Sequence, residues 1–117
     1  MSEGSSEAEL RLKVRELLGQ ATLLRARRGH EQALLLAKQA LGLAEESWEA
    51  HELVGDLLLA LDRPEQALES YRRARELHQS RAALEEKIGR AALACAAKQR
   101  ATELSRALLE GKASPPG

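Results

Sequence analysis

The sequence predicts an all-α fold built from repeated helix pairs. Glu31-Gln32-Ala33-Leu34 recurs later in the chain as Glu65-Gln66-Ala67-Leu68. Between the turn-forming residues, apolar side chains recur at spacings of three and four, which is the pattern of amphipathic helices. Aromatic residues make up only 2% of the chain, and other strand formers are scarce, so we expect no sheet. The offset between the two copies gives a period of about 34 residues, which fits two helices and two turns, and such units must stack to bury their apolar faces.

The first two helices are bounded by a cap and a glycine. Ser6 and Glu9 have the spacing of a capping box, in which each side chain accepts from the other residue's backbone N–H. A helix is therefore predicted from Ser6 onward, and Gly29 ends it. The second helix is predicted from about Glu31 to Ala44.

The next two helices carry their own start signals. Ser47 is the predicted N-cap of a third helix that runs from Trp48 to Leu61. Asp62 and Glu65 have the spacing of a second capping box, which predicts that a fourth helix starts there and runs to about His78.

The C-terminal part of the chain allows two interpretations. Residues 81–110 form either one long helix or two helices joined at 96–99, because Ala96-Ala97-Lys98-Gln99-Arg100 contains no turn former. Residues 1–5 are expected to be flexible, and residues 112–117 to be a disordered tail.

The segment 48–81 carries the clearest motif. Trp48 starts its first helix, Val54-Gly55 is a large residue followed by a small one, and the second helix alternates small and aromatic residues at Ala67, Tyr71 and Ala74. In these features the chain resembles the tetratricopeptide repeat (TPR) family. The resemblance implies a right-handed α-solenoid of antiparallel helix pairs, with about three TPR-like repeats, the last degenerate, and about six helices. The helical domain would span residues 6–111, with repeats at about 14–47, 48–81 and 82–111.

Composition and spacing argue against several function classes. The formal net charge is +0, whereas nucleic-acid binding needs a basic face. No apolar run approaches the roughly 18 residues that would cross a membrane. Cys95 is the only cysteine, the three histidines are not spaced as metal ligands, and we find no catalytic constellation. We therefore expect no enzyme activity, no cofactor, no metal site and no nucleic-acid or membrane partner. With no signal-peptide pattern at the N-terminus, a cytoplasmic location is expected.

The TPR resemblance also implies where a partner would bind. In that family, one face of each repeat's first helix lines a concave groove. Carried over to this sequence, the groove would be lined by Arg15, Thr22, Arg25, Glu49, Glu52, Leu53, Asp56, Leu59, Glu86, Lys87 and Arg90. The expected function is non-catalytic protein–protein interaction, in which the groove binds an extended or helical segment carrying basic and apolar residues.

Three alternatives remain open at this point, one of which is that the chain is a small regulatory subunit of an enzyme. Glu52 and Asp56 could instead pair with Arg90 and its neighbours as a salt bridge between helices, which would contribute little. The chain could also be a self-assembling structural module, a homodimer formed through its C-terminal helices if 81–110 is one helix. Some members of the TPR family bind acidic chain termini with a clamp of Lys and Asn side chains. The matching positions in this sequence are Leu18, Thr22 and Leu53, so the resemblance does not extend to that clamp.

Overall fold

The computed structural model describes residues 3–78 and 82–111, and every regular element within them is an α-helix. The five helices in these ranges are α1 (Glu3–Ala26), α2 (His30–Leu43), α3 (Trp48–Ala60), α4 (Pro64–Leu77) and α5 (Ala82–Leu109). Each helix packs on the next one in the chain, and α1 also contacts α3. The connections before α2, α3 and α4 are so short that consecutive helices run in opposite directions. The expected tail at 112–117 and the first two residues of the expected flexible segment 1–5 lie outside the described ranges.

The core is built mainly from alanine and leucine. Small side chains let the helix backbones approach closely, so α2 and α4 bury alanines on the sides that pack against their neighbours. The only aromatic side chain that is fully buried among the described residues is Tyr71. The main cluster consists of Ala21, Ala33, Leu34, Ala37, Leu53, Val54, Leu57, Leu58, Ala67, Tyr71, Ala74, Leu84 and Ala91.

Gly55 and Tyr71 set the closest approach between α3 and α4. A Cβ atom built on Gly55 would lie 2.5 Å from Cε1 and 2.7 Å from Cδ1 of the Tyr71 ring. The ring therefore occupies the space that a side chain at position 55 would need. Gly55 is required here by the close approach of another residue and not by its own backbone angles.

The turn between α1 and α2 and the turn between α3 and α4 have the same geometry. Arg28 and Asp62 adopt the left-handed conformation, with φ of 66° and 60°. The residue after each of them donates its N–H five residues back, from Gly29 to the Leu24 carbonyl at 2.7 Å and from Arg63 to the Leu58 carbonyl at 2.8 Å. This is the Schellman-type ending of a helix.

The second predicted capping box is therefore wrong. Asp62 belongs to the end of α3, and the N-cap of α4 is Arg63, which makes no side-chain capping bond. The first box is also wrong, because α1 begins at Glu3 and Ser6 lies inside the helix. The Ser47 cap is confirmed, since its hydroxyl accepts from the Ala50 N–H at 3.2 Å.

The predicted count of about six helices is not what the described residues show. Of the two interpretations of 81–110, the structure has one continuous helix, α5, from Ala82 to Leu109. The residues at 96–100 are strong helix formers, so nothing local ends the helix there. Side chains from Ala96 to Gly111 are exposed apart from a half-buried Ala107. Where the sequence allowed a sixth helix that would fold back on α5, the structure instead continues α5 straight to Leu109.

We expect Gly55→Ala to destabilise the chain by about 1–3 kcal/mol, because the new methyl group overlaps the Tyr71 ring and forces α3 and α4 apart. Urea denaturation followed by circular dichroism measures the change. Gly19→Ala is the matched control, since a Cβ atom at that helical glycine meets nothing within 4 Å. The control should stabilise the chain by about 0.5–1 kcal/mol through helix propensity alone. Equal stabilisation by both changes would contradict the close packing of position 55.

Candidate functional site

The structure brings the predicted groove residues together, with one exception. They line two adjoining depressions on the surface formed by α1, α3 and α5, which we call the groove. The depression between α1 and α3 contains Arg15, Thr22, Glu49, Glu52, Leu53 and Asp56. The depression between α3 and α5 contains Arg25, Asp56, Leu59, Lys87 and Arg90. Glu86 lines neither depression, and its carboxylate accepts from Arg90 on the same helix at 3.0 Å.

Asp56 stands where the two depressions meet, and its carboxylate is saturated with donors. One oxygen accepts from the Tyr71 hydroxyl at 2.5 Å. The other accepts from Lys87 Nζ at 3.0 Å and from Arg25 at 3.3 Å. Lys87 also donates to Glu52 at 3.1 Å. These bonds connect α3 with α1, α4 and α5.

The acidic face of α3 is therefore engaged within the chain. Glu52 and Asp56 side chains are only 11% exposed, and both pair with Lys87, a neighbour of Arg90 on α5, as the salt-bridge alternative supposed. Lys87 Nζ also lies 5.9 Å from the centre of the Tyr71 ring, within the range of a cation–π contact. Of the three predicted acidic groove residues on α3, Glu49 alone is exposed.

An apolar cleft extends the groove beyond the residues that the sequence predicted. It lies between the N-terminal half of α1 and the turn from α2 to α3, has a volume of about 830 Å³, and shares Arg15 and Glu49 with the groove. Its apolar lining is Leu10, Val14, Leu18, Leu43, Ala44 and Trp48. Glu45 and Glu46 stand at its rim beside Glu49. Leu10, Val14 and Leu18 recur every four residues in the first helix, and this spacing was the sequence signal for the cleft. The cleft itself opens only because α1 extends past α2.

The turn beside this cleft is held by two rings. His51 Nε2 lies 2.9 Å from the Glu45 carbonyl oxygen, which fixes the turn against the first turn of α3. His78 stacks on Trp48 with ring centroids 4.4 Å apart and planes 10° from parallel. His78 also ends α4, where its backbone N–H donates to the Ala74 carbonyl. His51 and His78 thus have structural contacts that account for their positions.

The described residues offer no grouping for metal chemistry. Nowhere in 3–78 and 82–111 do three or more His, Cys, Asp or Glu side chains converge as they would around an ion. Cys95 is half-buried on α5. Among the helices in these ranges, none combines the length and the apolarity required to cross a bilayer.

Comparison with known proteins adds no assignment. The chain matches no family model and no curated protein.

Asp56 should be a stability residue. We expect Asp56→Ala to cost about 2–4 kcal/mol, because it leaves the buried Tyr71 hydroxyl without its acceptor and removes one of the two carboxylates that accept from Lys87. Asp56→Asn should cost less than Asp56→Ala, since the amide oxygen can still accept from Tyr71. Urea denaturation of both variants tests this, with Glu49→Ala as a control on the same helix that should change stability by less than about 0.5 kcal/mol. An unchanged midpoint for Asp56→Ala would contradict the structural role.

Tyr71 should resist ionisation while the chain is folded. Burial, and then the hydrogen bond to Asp56, raise the pKa of the phenol far above its ordinary value of 10.0. Because the folded-state pKa is the higher one, this group's contribution to stability is complete below about pH 10 and declines above it, by up to about 1.4 kcal/mol per pH unit.

Tyr71 is the only tyrosine, so phenolate absorbance reports on it alone. In an alkaline titration the absorbance should rise together with the loss of helical circular dichroism, at a pH above 10. A chain unfolded in urea is the control and should ionise near pH 10. Phenolate formation near pH 10 with full helicity retained would contradict the prediction.

Proposed function

We propose that the chain is a non-catalytic protein-binding module that holds a peptide or helical segment in the groove and the adjoining apolar cleft. The observation that carries the proposal is the convergence of Arg15, Glu49 and Arg90, from α1, α3 and α5, on one surface that continues into the cleft. A concave, largely apolar surface with a few charged groups is typical of a binding site.

We place this function on a TPR-like architecture, a right-handed solenoid with two complete helix pairs and an incomplete third. Support comes from the turns at Arg28 and Asp62, which share their geometry and are offset by the same period as the duplicated tetrapeptide. The C-caps of α2 and α4 repeat in the same way, with φ of −145° at Ala44 and −144° at His78. The Gly55–Tyr71 contact matches the small-and-aromatic pattern on which the resemblance rests. A cytoplasmic location belongs to the same proposal.

The chemistry of the partner follows from the balance of exposed charges at the cleft, where Glu7, Glu45, Glu46 and Glu49 outnumber Arg11 and Arg15. Lys87 forms ion pairs with both Glu52 and Asp56, and Arg25 forms one with Asp56. These two acids therefore have little capacity to bind a basic peptide. Glu45, Glu46 and Glu49 are exposed and lie together at the rim of the cleft. The proposed partner is therefore a segment that places apolar side chains in the cleft and basic side chains against these three glutamates.

The proposal is tested with a peptide selected from a random library by display on the wild-type chain, carrying a fluorescent label. We expect Glu49→Lys to weaken its binding about tenfold, which corresponds to about 1.4 kcal/mol. The matched control is Glu69→Lys, the same charge change on the exposed face of α4, where it lines a different side of the molecule. Fluorescence anisotropy gives both dissociation constants.

A second matched pair tests the apolar cleft. Leu10 lines the cleft, whereas Leu12, two residues away on α1, is 64% exposed and does not. Leu10→Asp should weaken binding of the selected peptide at least as much as Glu49→Lys does, and Leu12→Asp should leave it unchanged. The proposed site would be refuted if the two variants of each pair had equal effects on binding. It would also be refuted if the selected peptides lacked basic and apolar residues.

A further inference from the structure

The acidic rim of the cleft, formed by Glu45, Glu46 and Glu49, consists of two separately anchored pieces. Glu49 lies in the first turn of α3, whereas Glu45 and Glu46 lie in the turn that precedes this helix. All three residues are exposed. A partner whose basic side chains have a fixed spacing therefore meets three fixed carboxylates only if the turn is held in one position relative to α3.

A side-chain hydrogen bond holds the tip of this turn against α3. His51 Nε2 lies 2.9 Å from the Glu45 carbonyl oxygen. A carbonyl oxygen can only accept, so Nε2 carries the proton of this bond. The carbonyl belongs to the peptide unit between the two glutamates of the turn, and the bond therefore restrains both of them.

The base of the turn is closed by other groups. The Ser47 N–H donates to the Ala44 carbonyl at 3.1 Å, and the Ser47 hydroxyl accepts from the Ala50 N–H at 3.2 Å. These two bonds cap α3 and close the turn, but neither involves the peptide unit at its tip. Loss of the His51 bond would thus loosen the tip while leaving the start of α3 capped.

The ring of His51 supports the turn from the side away from the cleft. It lines a depression of about 810 Å³ between α2 and α4, which shares no lining residue with the cleft. The ring is therefore not itself part of the surface proposed to contact the peptide. Any effect of His51 on binding has to pass through the turn that it holds.

This bond is not a general requirement of the repeat. The residue one period after His51 is Glu85 on α5, and its carboxylate pairs with Arg75 of α4 at 3.5 Å. The residue one period earlier is Leu17, which is buried in a core cluster. The histidine contact is thus particular to the turn that carries the acidic rim.

We infer that His51 is a positioning residue for the peptide site: it holds the turn so that the rim presents its carboxylates at a fixed spacing to the basic side chains of the partner. This inference rests on the proposed function. A rim that must first be ordered by its ligand loses part of the binding free energy to that ordering. Removing the bond should therefore weaken binding while the fold is retained.

The inference is tested with the labelled peptide selected on the wild-type chain. His51→Leu removes the donor but keeps a bulky side chain, and it should weaken binding about three- to tenfold in fluorescence anisotropy. His51→Gln should bind within about twofold of the wild type, because its amide N–H can still donate to the Glu45 carbonyl. His30→Leu is the matched control, since His30 begins α2 at the end opposite the turn, and it should leave binding unchanged.

A double-mutant cycle separates positioning from a general loss of stability. In a chain carrying both Glu45→Gln and Glu46→Gln, the turn has no charge to position, so His51→Leu should have no further effect on the dissociation constant. Equal weakening in both backgrounds would overturn the inference, because His51 would then act on the fold or on the peptide directly. A His51→Gln chain that binds as weakly as His51→Leu would overturn it as well.

The same measurements distinguish this inference from the proposed function. If the Glu45→Gln, Glu46→Gln chain bound the peptide as tightly as the wild type, the acidic rim would be wrong, and the role of His51 would fail with it. If that chain bound more weakly but His51→Leu matched the wild type, the proposed function would stand and the positioning role alone would be refuted. Helical circular dichroism confirms that the chains being compared are folded.

Discussion

One carboxylate joins four of the five described helices. Asp56 on α3 accepts from Arg25 on α1, Tyr71 on α4 and Lys87 on α5. Its side chain is 11% exposed, so water screens these bonds less than it would on an open surface. Tyr71 reaches Asp56 only because Gly55 leaves room for its ring. The packing of α3 on α4 and the charge network thus depend on each other through one tyrosine.

This arrangement separates stability from recognition on the same surface. The charges nearest the centre of the groove neutralise one another and fix the positions of α1, α3 and α5: Glu52 and Asp56 are balanced by Lys87 and Arg25. The exposed glutamates Glu45, Glu46 and Glu49 lie toward the α1 end, beside the apolar cleft. A scaffold whose central charges are satisfied internally can vary its outer residues without losing its fold. For this reason we expect a substitution of Asp56 to lower the stability of the fold, and any loss of binding to follow from that.

Much of the fold could be predicted from the sequence because it is determined locally. The ranges expected for the second, third and fourth helices differ from the observed α2, α3 and α4 by about one residue at each end, and Ser47 caps α3 as predicted. Most of the groove set was also brought together, since helix periodicity places its members on one face. Asp62 was misassigned because a capping-box spacing does not reveal the left-handed conformation that the turn requires. Lys87 was named in the groove, but its position between two carboxylates depends on the packing of α5, which no local pattern encodes.

In the C-terminal half of α5, the helix propensity of the sequence outweighs the little packing that a turn and a further helix would gain. A turn at 96–99 would interrupt a run of strong helix formers and leave about four backbone groups on each side without helical partners. Folding back would cover Leu104 and Leu108 but would place Ser105 where the second pair has Tyr71. The large apolar surface and the phenolic bond to Asp56 that hold α4 on α3 would have no counterpart. Within one copy, continuing the helix retains more hydrogen bonds than a turn would, and the apolar side of the helix stays exposed.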